Sequence, residues 1–255
     1  MRRREKFVIA SILLSLGLWS IQLVQLEYRY LAVGIFALAT YLVSGWSLSD
    51  DLQRLEWVTI LPFPAVYGAA VALFYFLLPE GFLSRLFTIS LFGVGMYALL
   101  LSSNIFSVAK GRTIQLVHAA NAIGLLFTLL TSLLLTNTIF SLRLPFYWNA
   151  ILVGLSHLPL IFMSIWSINL EQYISKQLLL LTAILTLIIV ELAIVFSFFP
   201  LSIWNVALLI MAFLYIGLGL FHNYMRGVLF TNTLTEYSLV ASLTVVLFFL
   251  LFPWK

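Results

Sequence analysis

Residues 178–199 read LLLLTAILTLIIVELAIVFSFF, an apolar run in which Glu191 is the one charged residue. An α-helix rises 1.5 Å per residue, so about 20 such residues cross the roughly 30 Å hydrocarbon layer of a bilayer. A helix that is apolar on every side lies either in the core of a large protein or in a membrane. The chain has only 255 residues, so this stretch predicts a transmembrane helix.

The composition extends this prediction to the whole chain. Hydrophobic residues make up 63% and charged residues 9%, whereas soluble domains have about 45–50% and about 25%. Nine acidic and thirteen basic side chains cannot form the polar surface of a soluble domain of this size. The chain is therefore predicted to have the lipid bilayer as its main partner.

The missing residue types exclude several chemistries. Cysteine is absent, which rules out disulfides and thiolate metal sites. The sequence also lacks the zinc-protease, serine-hydrolase and phosphate-loop motifs. The net charge of +4 comes from basic residues scattered in short loops, a pattern typical of membrane topology and not of nucleic-acid binding. No metal, no cofactor and no nucleic-acid partner are predicted.

Charges, prolines and turn residues divide the chain into apolar segments. They predict an all-α, polytopic transmembrane helix bundle of about nine helices, with eight as the alternative, forming a single integral membrane domain over 1–255. The predicted helices cover 7–25, 30–47, 57–78, 86–108, 115–136, 148–168, 178–199, 203–223 and 236–253.

The distribution of Lys and Arg predicts the orientation. The basic start MRRREK precedes an apolar run that is too long for a signal peptide and lacks a small-residue cleavage site, so we expect a retained first helix. An N-terminus in the cytoplasm places about nine Lys and Arg inside and about four outside. The prediction is a cell-membrane protein, in a bacterial cytoplasmic membrane, with its C-terminus outside; an even helix count would place the C-terminus inside.

Glu191 is the first candidate site residue. An acidic side chain near a helix centre costs roughly 2.5–3.5 kcal/mol to insert, so it needs a role. His157 lies at a similar predicted depth on the neighbouring segment, two residues before Pro159, which can kink that helix. Glu191 and His157 together predict a proton or ion site; the alternative is a protonated glutamate in a structural hydrogen bond between helices.

A second group of polar residues is predicted near the cytoplasmic face. Its members lie at the ends of predicted helices and in one loop: Asn104, Arg112, His118, Asn121, His222, Asn223 and Arg226. Such residues point into a bundle because lipid offers them no hydrogen-bond partner. They predict either polar contacts between helices or a binding pocket, in which Arg112, His118 and His222 would hold an anionic lipid headgroup.

One resemblance adds to this interpretation. The runs SSNIFSVAKGRTIQLVHAA at 102–120 and TIFSLRLPF at 138–146 resemble a family of polytopic membrane proteins of unknown function from candidate-phylum bacteria. The resemblance covers about a sixth of the chain. It implies a bacterial membrane location and transfers no catalytic residue.

Three functional hypotheses follow. The leading one is a non-enzymatic membrane component, either transporter-like or an assembly subunit in a homo- or hetero-oligomer. The second is an intramembrane enzyme that acts on a lipid-linked or hydrophobic substrate at the cytoplasmic face. The third is a proton-coupled carrier or channel that uses Glu191. The second hypothesis has the cytoplasmic group of polar residues as its site and assigns no individual catalytic residue.

Overall fold

The computed structural model describes residues 3–78, 81–108, 114–171, 173–228 and 230–251, in which helices and turns occur and β-strands do not. A single 3₁₀ turn covers Leu26–Tyr28. The α-helices of these residues are α1 Arg3–Ile21, α2 Arg29–Leu48, α3 Glu56–Thr59, α4 Pro62–Tyr75, α5 Phe82–Ser107, α6 Ile114–Ser141, α7 Phe146–Asn169, α8 Lys176–Ser197, α9 Ile203–Met225 and α10 Thr231–Leu251.

Eight helical stretches of the described residues are long and apolar enough to cross a membrane, with α3 and α4 counted as one stretch of 20 residues. The predicted bundle of transmembrane helices is therefore confirmed. The first predicted span, 7–25, corresponds to α1, which does not meet the same criterion of length and apolar character. It begins with Arg3, Arg4, Glu5 and Lys6, so its apolar part is shorter than the other spans.

Local residue types explain where several helices begin and end. Ser175 caps the start of α8 by accepting a hydrogen bond from the Leu178 N–H at 3.2 Å, and Ser202 does the same for α9 with the Asn205 N–H at 3.3 Å. Pro62 lies in the first turn of α4, where its missing N–H is not needed. Leu170 closes α7 in the left-handed conformation, with φ of 51°.

The chain divides into two compact units, Met1–Phe127 and Thr128–Lys255, and the boundary falls inside α6. The single domain expected over 1–255 stays a prediction, because this division does not test whether the units fold separately. In unit 1, α1 packs along α5 and α2 packs along α4. Tyr67 lies at the centre of this unit, with its ring 5.6 Å from that of Phe92 and 5.2 Å from that of Phe127.

In unit 2, α8 packs most extensively against α7, and α9 packs against α8 and α10. The approach of α7 to α8 is close at Gly154, where an added Cβ would lie 2.8 Å from Cγ2 of Val190. Small residues of this kind let helices pack closely in membranes. Because one side of α8 is held against α7, the opposite side of the helix faces outward.

Candidate functional site

The outward side of α8 is an exposed stripe of large side chains, which we call the α8 face. Its members recur every three or four residues and are Leu180, Ile184, Leu187, Glu191 and Val195. Leu180 and Leu187 are each 60% exposed. This spacing is that of one side of an α-helix. In a membrane, the α8 face therefore meets lipid or another helix.

Glu191 is the polar residue of the α8 face. It lies about 22 Å along α8 from Lys176 and about 9 Å from the helix end, at 1.5 Å per residue, which places it well inside the candidate membrane span Lys176–Ser197. It has no hydrogen bond and no ion pair with any part of the chain that the structure describes. An acidic group in this position is costly unless a partner from outside the chain bonds it.

His157 has a different environment. It is fully buried in unit 2, where its Nε2 lies 2.8 Å from Oγ of Ser132 on α6 and its Nδ1 lies 2.8 Å from the Val153 carbonyl. Both ring nitrogens are thus occupied inside the chain. The structure does not bring Glu191 to His157: the histidine is enclosed, and the acid faces outward. Similar depth in the membrane did not imply a shared direction.

Unit 1 contains a group of bonded polar residues, which we call the Asp51 cluster, at the end where α1 and α3 begin and α2 and α5 end. Its members are Arg3, Asp51, Glu56, Asn104 and Ser107. The carboxylate of Asp51 pairs with the Arg3 guanidinium at 3.1 Å and accepts a hydrogen bond from Asn104 Nδ2 at 2.8 Å. Three segments far apart in sequence are therefore joined at one point.

Glu56 is the buried acid of this cluster, with 6% of its surface exposed. Its Oε2 accepts hydrogen bonds from the Ser107 hydroxyl at 2.5 Å and from the Gln53 N–H at 2.9 Å. The Ser107 hydroxyl also lies 2.7 Å from the Asp51 carbonyl. Because its donors come from the chain itself, Glu56 needs no external partner.

A surface ion pair stands beside the cluster. Lys6 Nζ donates to Asp50 Oδ2 at 2.6 Å. This hydrogen bond to the Lys6 ammonium, together with its charge, lowers the pKa of the Asp50 carboxyl below its ordinary value. The Asp50 side chain is 48% exposed, so solvent screens the pair and its contribution to stability is small.

The predicted cytoplasmic group is divided between the two units of the chain. Asn104 belongs to the Asp51 cluster, Arg112 lies outside the described residues, His118 is exposed, and Asn121 is buried with an unpartnered Oδ1. In unit 2, His222 bonds the Ser164 carbonyl at 3.0 Å. Asn223 donates to the Gly219 carbonyl at 2.8 Å and Arg226 is exposed. The Arg226 N–H donates to the His222 carbonyl at 3.2 Å at the end of α9, and within the described residues of each unit no side-chain hydrogen bond joins two members of the predicted group.

The comparisons with known proteins give no further lead. No protein-family model, no curated protein and no solved structure matches this chain. The function must therefore be argued from the geometry of its own residues.

Sequence reasoning missed the acids of the Asp51 cluster. Asp51 and Glu56 lie in the polar stretch SLSDDLQRLEW at 47–57, which reads as a surface segment. Their partners Asn104 and Ser107 lie about 50 residues further on, so no local pattern connects them. The sequence did contain one indication. Asn104 and Ser107 are polar residues at the end of the apolar run 86–108, and polar side chains there are expected to face other helices because lipid offers them no hydrogen-bond partner.

Proposed function

We propose that this protein is a non-enzymatic subunit of a membrane assembly and that it binds a transmembrane helix of another protein through the α8 face. The observation that carries the proposal is the exposed position of Glu191 within the membrane without a partner in the described chain. An acid in lipid is expensive, and a donor on a facing helix removes that cost.

The surroundings of Glu191 support an external helix over an internal path. Leu187 and Val195 lie one turn before and after it and are exposed, so the acid is the centre of an apolar strip that a helix can cover. Apolar side chains around one polar contact are typical of helix pairs in membranes, where packing and hydrogen bonds drive association. A carrier, by contrast, keeps its acid inside the bundle or in a water-filled cavity.

Charge complementarity favours a different protein over a second copy. The α8 face contains an acceptor and no donor, so two α8 faces would bring two carboxyl groups together at one depth. Such a pair needs an additional proton because like charges repel. A partner helix that presents Lys, Arg, His or an amide at this depth supplies the donor directly.

The proposal can be tested by site-specific photo-crosslinking in membranes of the organism that encodes the chain. A crosslinking amino acid at Leu187 should give an adduct with one other membrane protein, and the crosslinked peptide should contain a donor side chain. The same probe at Leu155 of α7, which is 67% exposed, is the matched control. It should give lipid adducts alone.

Glu191→Leu should reduce the Leu187 adduct at least about tenfold, since a charged hydrogen bond contributes about 1.5–3 kcal/mol. Glu191→Gln, which keeps an acceptor, should reduce it less. An adduct of the chain with itself would replace the hetero-assembly by a homo-oligomer. Lipid adducts alone at Leu187, or an adduct that is unchanged in Glu191→Leu, would refute the proposal.

A further inference from the structure

A cavity of about 610 Å³ lies in unit 2, at the end where α6 and α8 finish and α7 and α9 begin. It is separate from the α8 face, and the members of that face do not line it. Aromatic and polar side chains share its wall, among them Phe140, Arg143, Asn149, Phe196, Phe199 and Ser202. The described residues that line this Arg143 cavity include no acid, so its one charged side chain makes it cationic.

Arg143 lines the cavity and has an unusual backbone conformation. Its φ is 51°, in the left-handed region where glycine is the usual residue. The side chain is exposed and has no ion pair or hydrogen bond within the described chain. Leu170 has the same φ at the end of α7, so this conformation belongs to the helix end, and what points to an anion at Arg143 is the guanidinium without a partner beside a cavity.

Further donors lie beside Arg143. The Ser202 hydroxyl oxygen accepts the Asn205 N–H at 3.3 Å, which leaves the hydroxyl hydrogen available. Ile203, also in the wall, is the first residue of α9, and N–H groups in a first turn have no acceptor within their own helix. A guanidinium, a hydroxyl and a helix start together favour an anion.

Asn149, one of the residues that line the cavity, has an unmet acceptor. Asn149 is 4% exposed, and its Nδ2 donates to the Leu144 carbonyl at 3.3 Å and to Ser197 Oγ at 3.1 Å. Its Oδ1 has no hydrogen-bond partner. Buried polar atoms are nearly always bonded, so this oxygen favours a ligand that contributes a hydroxyl or ammonium donor.

We propose that the Arg143 cavity binds a phosphate ester that has a net negative charge and a hydroxyl group, with the phosphate at Arg143 and Ser202. This chemistry occurs in the headgroup of an acidic phospholipid and in free glycerol phosphate. The aromatic wall of Phe140, Phe196 and Phe199 suits the apolar part of a lipid. The site does not depend on the proposed assembly through α8.

Native mass spectrometry of the full chain, released from nanodiscs of equal parts phosphatidylglycerol and phosphatidylcholine, tests the site. The protein should retain phosphatidylglycerol in preference to phosphatidylcholine. Arg143→Gly should lower this retention about ten- to hundredfold, the usual effect of a lost charged hydrogen bond. Arg54→Gln, which removes an exposed arginine of unit 1, is the control and should retain as much lipid as the wild type.

Arg143→Gly should also unfold at the same or a higher temperature than the wild type, because glycine removes the backbone strain. Lost retention in a stable variant thus reports on binding. A thermal-shift measurement with free glycerol phosphate distinguishes a soluble phosphate ester from a lipid headgroup. A raised melting temperature indicates a soluble ligand. An unchanged melting temperature together with lipid retention indicates a headgroup. Equal retention of both lipids, or unchanged retention in Arg143→Gly, would overturn the proposal.

Discussion

Glu56 and Glu191 are the same residue type in opposite situations. Glu56 is 6% exposed, lies at the start of a short helix, and receives hydrogen bonds from Ser107 and Gln53. Glu191 lies well inside a transmembrane helix, is exposed, and receives no hydrogen bond from the described chain. Glu56 bonds residues of its own unit, whereas Glu191 is available to a partner outside the chain.

The difference shows how a polar residue in a membrane protein can be classified. Burial with donors from the same chain indicates a structural role, because removing the acid leaves those donors unpaired. Exposure without donors indicates an interaction that the chain alone does not complete. The substitutions below test this distinction on the isolated protein in detergent, where an external partner is removed.

Glu56→Ala should have the largest effect. It removes the acceptor that Glu56 offers to the Gln53 N–H and one of the two acceptors of the Ser107 hydroxyl, so the free energy of unfolding should fall by about 1–3 kcal/mol. Denaturant unfolding followed by circular dichroism measures this. Glu27→Ala, at an exposed glutamate of the same unit, is the control and should change little. A loss of unfolding free energy below about 0.5 kcal/mol would contradict a structural role for Glu56.

Glu191→Leu should change the free energy of unfolding of the isolated protein by no more than about 0.5 kcal/mol, as surface substitutions do. The side chain meets the same apolar surroundings in the folded and the unfolded state within the micelle, so the cost of the acid cancels. The same unfolding experiment, with Glu191→Gln beside it, gives the value. A loss of unfolding free energy above about 1.5 kcal/mol would show that Glu191 has a partner within the chain and would contradict the distinction from Glu56.

Asp50→Asn should have the smallest effect, and the effect should depend on pH. Lys6 lowers the pKa of Asp50 in the folded protein, so the ion pair stabilises the fold above the ordinary pKa of 3.8. This contribution is lost as the pH falls through the lowered folded value. The wild type should melt slightly above Asp50→Asn near pH 7, and the gap should narrow as the pH falls below 3.8.

Salt should also narrow this gap, because the Asp50 end of the pair is exposed and therefore screened. Melting curves between pH 7 and pH 3, at low and high salt, check both statements. A gap that widens toward acid would contradict the sign of the pKa shift.

The sequence predicted the membrane helices well because lipid imposes the same length and apolar composition on each of them. The segment expected at 203–223 is observed as Ile203–Met225, and that expected at 148–168 is observed as Phe146–Asn169. Ser202 and Pro145 mark these starts by local chemistry, a serine cap and a proline before the first turn. Such boundaries depend on neighbouring residues only.

The candidate sites could not be predicted in the same way. Helices that are apolar on every side give no pattern from which to read a facing direction, so equal depth suggested a contact between His157 and Glu191. Ser132, which occupies Nε2 of His157, lies 25 residues away on another helix. Arg143 likewise appeared in the sequence as one of several charged residues in loops, with nothing to connect it to a cavity.

Gly154 on α7 influences the direction in which the α8 face points. A methyl group at this position would meet Val190, the residue immediately before Glu191, and one helix would have to shift or turn to accommodate it. A change in the middle of α7 can thus re-aim an acid on α8 that it never touches. In a genetic screen, revertants of a defective α8 face should therefore also arise on the hidden side of the helix pair.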